Sequence, residues 1–344
     1  MNSLEVSRPV GTTERTGRGT HLLRALVVVA GLAAALLLAE VGLRLAGFSF
    51  HVYPEKVQFG YPKSIGGEAD PYVRDADLLW VPRDWRERLA RAREEPPRLI
   101  FLGDSCTEFG TYPSELNRLL ARSGSARLTS MKLGVAGWTT YQGLHALERD
   151  LLPLRPAVVT VDFGWNDHWK GFGIEDRDID GLPFMRSALE PLRLAQLVQK
   201  ATIALRGRSY AAQRVALADF RANLRQIVRQ TRAAGAVPVL LTAPTSNVEG
   251  QEPGYLRDGW LDDISQLLPL HRRYAQAVRE VAASEHAPLC DLLDEFGRLP
   301  VEERRASFGS DGIHFTNAGS ARAGEMLYRC FAAHPEVRTA LGGL

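Results

Sequence analysis

The chain has 344 residues, 45% of them hydrophobic and 24% charged, which excludes an intrinsically disordered protein and fits a folded globular one. A formal net charge of +2 leaves no basic surplus to suggest a nucleic-acid partner. Cys106, Cys290 and Cys330 match no zinc or disulfide framework, although a Cys290–Cys330 bridge is open to a chain in an oxidising compartment.

Residues 1–24 read as a polar cytoplasmic tail carrying Arg8, Arg15, Arg18 and Arg24. An apolar run from Ala25 to Ala39 follows, then Glu40, Val41-Gly42-Leu43 and Arg44. The segment 25–47 is long enough to cross a bilayer, with Glu40 and Arg44 near the outer end, where they can reach the interface. No small-x-small cleavage site follows it, which favours an uncleaved anchor over a cleaved signal peptide. The arginines ahead of the run favour a cytoplasmic N-terminus. A single-pass protein with its catalytic domain outside the cytoplasm, periplasmic or cell-surface, is therefore expected; cleavage of the run would instead give a secreted one.

Residues 48–95 carry Pro, Gly and aromatic residues with little periodicity and read as a stalk or linker, one that can lie along the domain that follows. From about residue 96 to 335 the texture becomes one of short apolar runs alternating with helix-length segments. Strands are predicted at 98–102, 127–133, 157–163, 237–242 and 287–291, and helices at 112–122, 139–150, 214–234, 265–285 and 317–332. That alternation specifies an α/β fold: a doubly wound, flavodoxin-like three-layer sandwich around a mostly parallel five-stranded sheet, preceded by an N-terminal transmembrane helix. An insertion at about 170–212 interrupts the rhythm. Its charge run, Glu175 to Asp180, reads as a solvated loop, and 188–206 has the pattern of an amphipathic helix. Extra core packing and a lid or membrane-facing cap both suit that helix.

In open α/β sheets the chemistry sits at the carboxyl ends of strands. Gly103-Asp104-Ser105 follows the first strand, Gly134-Val135-Ala136-Gly137 the second and Gly164-Trp165-Asn166-Asp167 the third, while Asp311-Gly312-Ile313-His314 precedes the last helix. A serine hydroxyl is a poor nucleophile near neutral pH and needs an adjacent base. His314 can accept its proton, and Asp311, three residues earlier, can hold the imidazole in the needed tautomer. Ser105 sits where a strand turns into a helix, so unpaired backbone N–H groups are available to a developing oxyanion, and the Asn166 amide can add another donor. No Gly-x-Ser-x-Gly elbow surrounds Ser105, which argues against the α/β-hydrolase version of this chemistry. His168 lacks an acidic partner at the spacing of Asp311 and His314 and reads as a pocket-rim or surface residue. Trp165 and Trp169 are candidates to stack on a sugar ring or line an acyl pocket. His286 and Cys290 have no companion ligands, so no metal is expected.

The four blocks, in this order, resemble the SGNH hydrolase superfamily, also called GDSL-type esterases and lipases, in a membrane-anchored bacterial form. The similarity runs over about residues 97–332. It implies catalytic Ser105, Asp311 and His314, and an oxyanion hole from Ser105, Gly137 and Asn166, with Gly137 preferred to Gly134 on the pattern Gly137-Trp138-Thr139-Thr140. The expected activity is hydrolysis of carboxylic esters, with O-acetyl groups on glycans among the candidate substrates, through an acyl-serine intermediate and without a cofactor. An O-acyltransferase with the same triad and a catalytically silent envelope or glycan-binding protein are the alternatives.

Overall fold

A computed structural model describes residues 16–50, 71–122, 128–171, 174–207, 213–257, 261 and 263–343. The chain divides into two compact units: residues 1–51 with 183–201, and residues 52–182 with 202–344.

The larger unit opens with an antiparallel hairpin, β1 (Tyr72–Asp75) and β2 (Leu79–Pro82), and a helix, α2 (Trp85–Glu94), numbered after the N-terminal α1 (Thr16–Leu45) of the smaller unit. This part of the expected stalk is a folded element of the domain; residues 51–70 of that stalk lie outside the described residues. The cause is a set of buried side chains with little periodicity. Trp85 Nε1 donates to Asp150 Oδ2 at 2.9 Å, and Arg149 reaches Asp75, Asp77 and Asp150.

Five parallel strands follow as predicted: β3 (Leu99–Gly103), β4 (Ser130–Gly134), β5 (Val158–Asp162), β6 (Val237–Leu241) and β7 (Leu289–Cys290). Their order in the sheet is β4-β3-β5-β6-β7. Every residue of β3 and β5 is buried, as a sheet covered on both faces requires. Leu99 and Phe101 share a core with Tyr112, Leu116 and Leu120 of α4 (Tyr112–Arg122) and with Leu327 and Phe331 of α11 (Asn317–Ala333). The intervening Ile100 and Leu102 face the opposite layer, since side chains alternate along a strand. The remaining helices are α3 (Ser105–Phe109), α5 (Thr140–Ala146), α6 (Arg193–Gly207), α7 (Leu217–Ala233), α8 (Leu267–Ser284), α9 (Leu292–Gly297), α10 (Val301–Ala306) and α12 (Pro335–Ala340). The helix expected over 139–150 ends at Ala146 and passes into a π-helical turn, Leu147–Leu151, that carries the buried Asp150. A disulfide joins Cys290 in β7 to Cys330 in α11, and Cys106 is a buried free thiol.

The chain runs from β3 to β4 on one side, then crosses back past β3 to β5 on the other, so the sheet grows in opposite directions from β3. The carboxyl end of β3 is thus the topological switch point, where a crevice opens in sheets of this kind. Ser105 follows it directly.

In the smaller unit, α1 runs to Leu45 and the chain turns at Gly47, which takes a φ of +68°. From His21 to Leu45 the helix is long and apolar enough to cross a membrane.

Candidate active site

Three loops at the carboxyl edge of the sheet and one before α11 bring the predicted residues together. Gly103 and Gly134 permit the first of these approaches. A Cβ at Gly134 would lie 2.3 Å from the Glu108 backbone nitrogen, and one at Gly103 would lie 2.2 Å from Thr107 Oγ1. Only glycine at both sites lets α3 sit this close to the strand ends. Asp104 caps α3, its Oδ1 accepting from Cys106 N–H at 2.9 Å.

Ser105 Oγ lies 2.9 Å from His314 Nε2, and His314 Nδ1 lies 2.6 Å from Asp311 Oδ2. Asp311 Oδ1 accepts from the N–H groups of Ile313 at 2.8 Å and His314 at 3.0 Å. Burial would raise the Asp311 pKa, but the His314 hydrogen bond and these backbone donors outweigh it, and the carboxyl ends below its ordinary value. An ionised Asp311 only accepts, so the proton of the imidazole sits on Nδ1 and Nε2 is left to accept the Ser105 hydroxyl. The loop is tied from beneath: Gly312, with a φ of +69°, has its carbonyl bonded by Thr245 Oγ1 at 2.7 Å and Ser246 N–H at 3.0 Å. This arrangement can withdraw a proton from Ser105.

Gly137 takes a φ of +76°. Among the described residues, neither its N–H nor that of Ser105 has a hydrogen-bond partner. The polar groups around the Gly137 N–H are all fixed. Ala136 N–H donates to Glu108 Oε2 at 2.7 Å, and Ala136 C=O accepts from Trp80 Nε1 at 2.9 Å. Gly137 C=O accepts from Arg214 Nη1 at 2.6 Å, and Arg214 is held in turn by Asp176. Gly134 instead serves the close packing of α3.

Asn166 is buried and its amide is already engaged, donating to Trp138 C=O at 2.9 Å and toward Asp104 Oδ2 at 3.3 Å. Behind it stands a set of buried acids. Burial and the charge of Asp162 push Asp104 well above the usual carboxylate range, and burial raises Asp162 to about 6 despite bonds from Tyr112 and Thr107. Asp167 is raised to about 7 by burial, although Thr140 donates to its Oδ1 through both N–H and hydroxyl.

Several expectations need correction. Trp165 and Trp169 form no open platform: they are 2% and 1% exposed, their rings 5.9 Å apart, packed with Cys106, Leu256, Leu267 and Ile313. Apolar surface on this loop is worth more inside the core than at a pocket mouth. His168 is not at a rim. It is buried, with Nε2 3.2 Å from His271 Nδ1, while His271 Nε2 donates to Ala243 C=O at 2.9 Å; burial drives both imidazoles toward the neutral form. The 175–180 charge run is only partly solvated, since Asp176 makes a buried ion pair with Arg214. Trp80, Glu108, Arg214 and His271 carried no sequence signal, because each acts through a partner far away in the chain. Phe109 had a weak one: it lies four residues after Ser105 on α3, it is 52% exposed, and its ring is 5.9 Å from that of His314. Among the described residues no group of three or more His, Cys, Asp or Glu is placed to hold a metal ion.

The fold and this serine-centred site define a serine hydrolase. Residues 101–322 match the model of the GDSL-like lipase/acylhydrolase family, and the chain belongs to that family. Solved structures similar to it include a lipase/acylhydrolase from Enterococcus faecalis, at 18% identity and a TM-score of 0.48, covering 69% of this chain and 96% of that one. A GDSL-like lipase from Bacteroides thetaiotaomicron is 16% identical with a TM-score of 0.45, covering 73% and 96%. An acetylxylan esterase from Geobacillus stearothermophilus is 18% identical with a TM-score of 0.43, covering 70% and 93%. No curated protein matches the chain.

Proposed function

We propose that this chain is a membrane-anchored, extracytoplasmic esterase that cleaves carboxylic esters through an acyl-Ser105 intermediate. One observation carries the chemistry: His314 bridges Ser105 Oγ and Asp311 Oδ2 at hydrogen-bond distance on both sides. Ser105 Oγ attacks the ester carbonyl carbon as its proton passes to His314 Nε2, and the carbonyl oxygen becomes an oxyanion. The N–H groups of Ser105 and Gly137 receive that oxyanion, and Asn166 Nδ2 joins them by giving up its long contact with Asp104. Collapse breaks the ester C–O bond, and His314 returns the proton to the departing alkoxide. Water then attacks the acyl-serine with His314 again as base, and the acid is released. Asp311 holds the imidazole throughout and offsets its charge when protonated.

The location rests on the apolar helix His21–Leu45 and on the Cys290–Cys330 disulfide, a bond suited to oxidising compartments and rare in the cytosol. Trp165 and Trp169 are packed inside and lend no support to O-acetyl glycans in particular, so the substrate class is carboxylic esters at large. Phe109 offers apolar surface beside His314 for the acyl or alcohol portion. A fluorophosphonate probe should label the folded wild-type protein at neutral pH and leave Ser105→Ala unlabelled. An unlabelled wild type would sink the proposal.

A further inference from the structure

Glu40 is an acidic residue in an otherwise apolar run, and a carboxylate at bilayer depth is costly unless it is paired. The structure shows its partners. Glu40 is 8% exposed; its Oε1 accepts from Arg44 Nε at 2.8 Å and from the Arg193 N–H at 3.0 Å, and its Oε2 accepts from the Leu194 N–H at 2.9 Å. Arg193 and Leu194 are the first two residues of α6, whose leading N–H groups have no partner within their own helix. Glu40 therefore caps α6 from the side of another helix, the favoured sign of charge at that end of the helix dipole.

The chain leaving α1 is fixed to the same element. Phe50 N–H donates to Gln196 Oε1 at 3.2 Å, Arg193 Nη1 donates to Ser49 Oγ at 3.1 Å, and Lys200 Nζ lies 5.6 Å and 6.0 Å from the ring centroids of Phe48 and Phe50. Residues 183–201 and the end of α1 form one compact unit.

Depth follows from helix geometry. A span starting at Ala25, just past Arg24, needs about 20 residues to cross a core of about 30 Å, which places its outer boundary near Arg44. Glu40 then lies ~6 Å inside that boundary at ~1.5 Å of rise per residue. Whatever is hydrogen-bonded to Glu40 shares that depth, and this is the start of α6. Among the side chains that 183–201 leaves exposed, Phe184, Leu189, Leu197 and Val198 are large and apolar, and they stand beside the polar Arg186, Ser187 and Lys200, a mixture that suits an interface. Long cationic side chains such as Lys200 can reach back to the headgroups while their stems stay in apolar surroundings.

We propose that residues 183–201 are a second membrane contact of this chain, a collar seated in the outer interface of the bilayer and capped onto the anchor by Glu40. Its partner is the lipid surface, met by Phe184, Leu189, Leu197 and Val198. The inference rests on the reading of α1 as an uncleaved anchor, and the test separates the two.

The full chain is reconstituted in phosphatidylcholine vesicles in which a fraction of the lipid carries an acyl-chain nitroxide. An environment-sensitive fluorophore is attached to Leu197→Cys, Leu32→Cys or Val301→Cys in separate samples. Cys106 is buried and the other two cysteines are bridged, so each label has one reactive thiol. Quenching at residues 32 and 197 should be several-fold greater than in matched vesicles without the nitroxide lipid, with 301 serving as the label on the catalytic unit. Quenching at 32 with none at 197 would overturn the collar and leave the anchor standing. Quenching at neither would overturn both. Glu40→Ala should lower the quenching at 197 while 32 stays quenched, with fluorophosphonate labelling of Ser105 reporting that the catalytic domain remains folded. Unchanged quenching at 197 in that variant would refute the cap.

Discussion

Removing the Cys290–Cys330 disulfide should cost substantial stability without altering the reacting groups. The bond closes a loop with a sequence separation of 40 residues. The chain-entropy model assigns such a loop about 4 kcal/mol at 25 °C, with engineered cases often delivering less. Within the closed segment lie α9, α10 and the turn carrying Asp311 and His314. Cross-linking thus limits how far, in the unfolded chain, this turn can stray from the residues of β7 and α11 that flank it. The perturbation is Cys290→Ala with Cys330→Ala, alongside reduced wild type, which lacks the bond but keeps both side chains. Urea unfolding followed by the fluorescence of the buried tryptophans gives the change in midpoint, to be compared at equal slope. A loss of about 2–4 kcal/mol in both samples, with unchanged fluorophosphonate labelling well below the transition, is expected. A loss under about 1 kcal/mol would refute the claim that the bond restrains this loop, since natural disulfides of this span are worth more.

Asn166→Ala should lower kcat by about 10²–10³, the scale for one oxyanion donor, as read by steady-state hydrolysis of an activated ester; an unchanged kcat would remove Asn166 from the hole. Trp80→Phe keeps the ring but deletes the donor to Ala136 C=O, so kcat should fall while KM holds; a change in KM alone would mean that the indole serves packing. Asp167 has a folded pKa of about 7 against an ordinary 3.8, so the native state holds its proton more tightly than the unfolded one. Its contribution therefore favours folding most below about pH 4 and is lost as pH rises through about 7. Asp167→Asn should flatten the stability profile across that window, measured by urea midpoints; parallel profiles for variant and wild type would show that Asp167 does not titrate there.

All five sheet strands were legible because a parallel sheet covered on both faces needs short, nearly continuous apolar runs, as in Leu99–Gly103 and Val158–Asp162. Ser105, Asp311 and His314 were legible because their motifs are local and fall at strand ends or before a terminal helix. The hairpin Tyr72–Pro82 was not, since its stability comes from Trp80, Trp85 and Arg149 contacts that no local pattern encodes. His168 misled for the same reason: its partner, His271, is 103 residues away. The residue type of Trp165 and Trp169 suggests a platform, while their burial comes from packing with Leu256, Leu261 and Leu267, some ninety residues later in the chain.

The hydrogen bond from Trp80 to Ala136 reaches outside the boundaries of the matched family segment, which begins at residue 101. A chain cut back to 101–322 would still display Ser105, Gly137, Asn166, Asp311 and His314, and a motif comparison would count it as whole. It would lack the indole that fixes the peptide bearing the Gly137 N–H. Exchanging catalytic segments between relatives at the family boundary would then transplant every recognisable residue and leave behind part of what aims them.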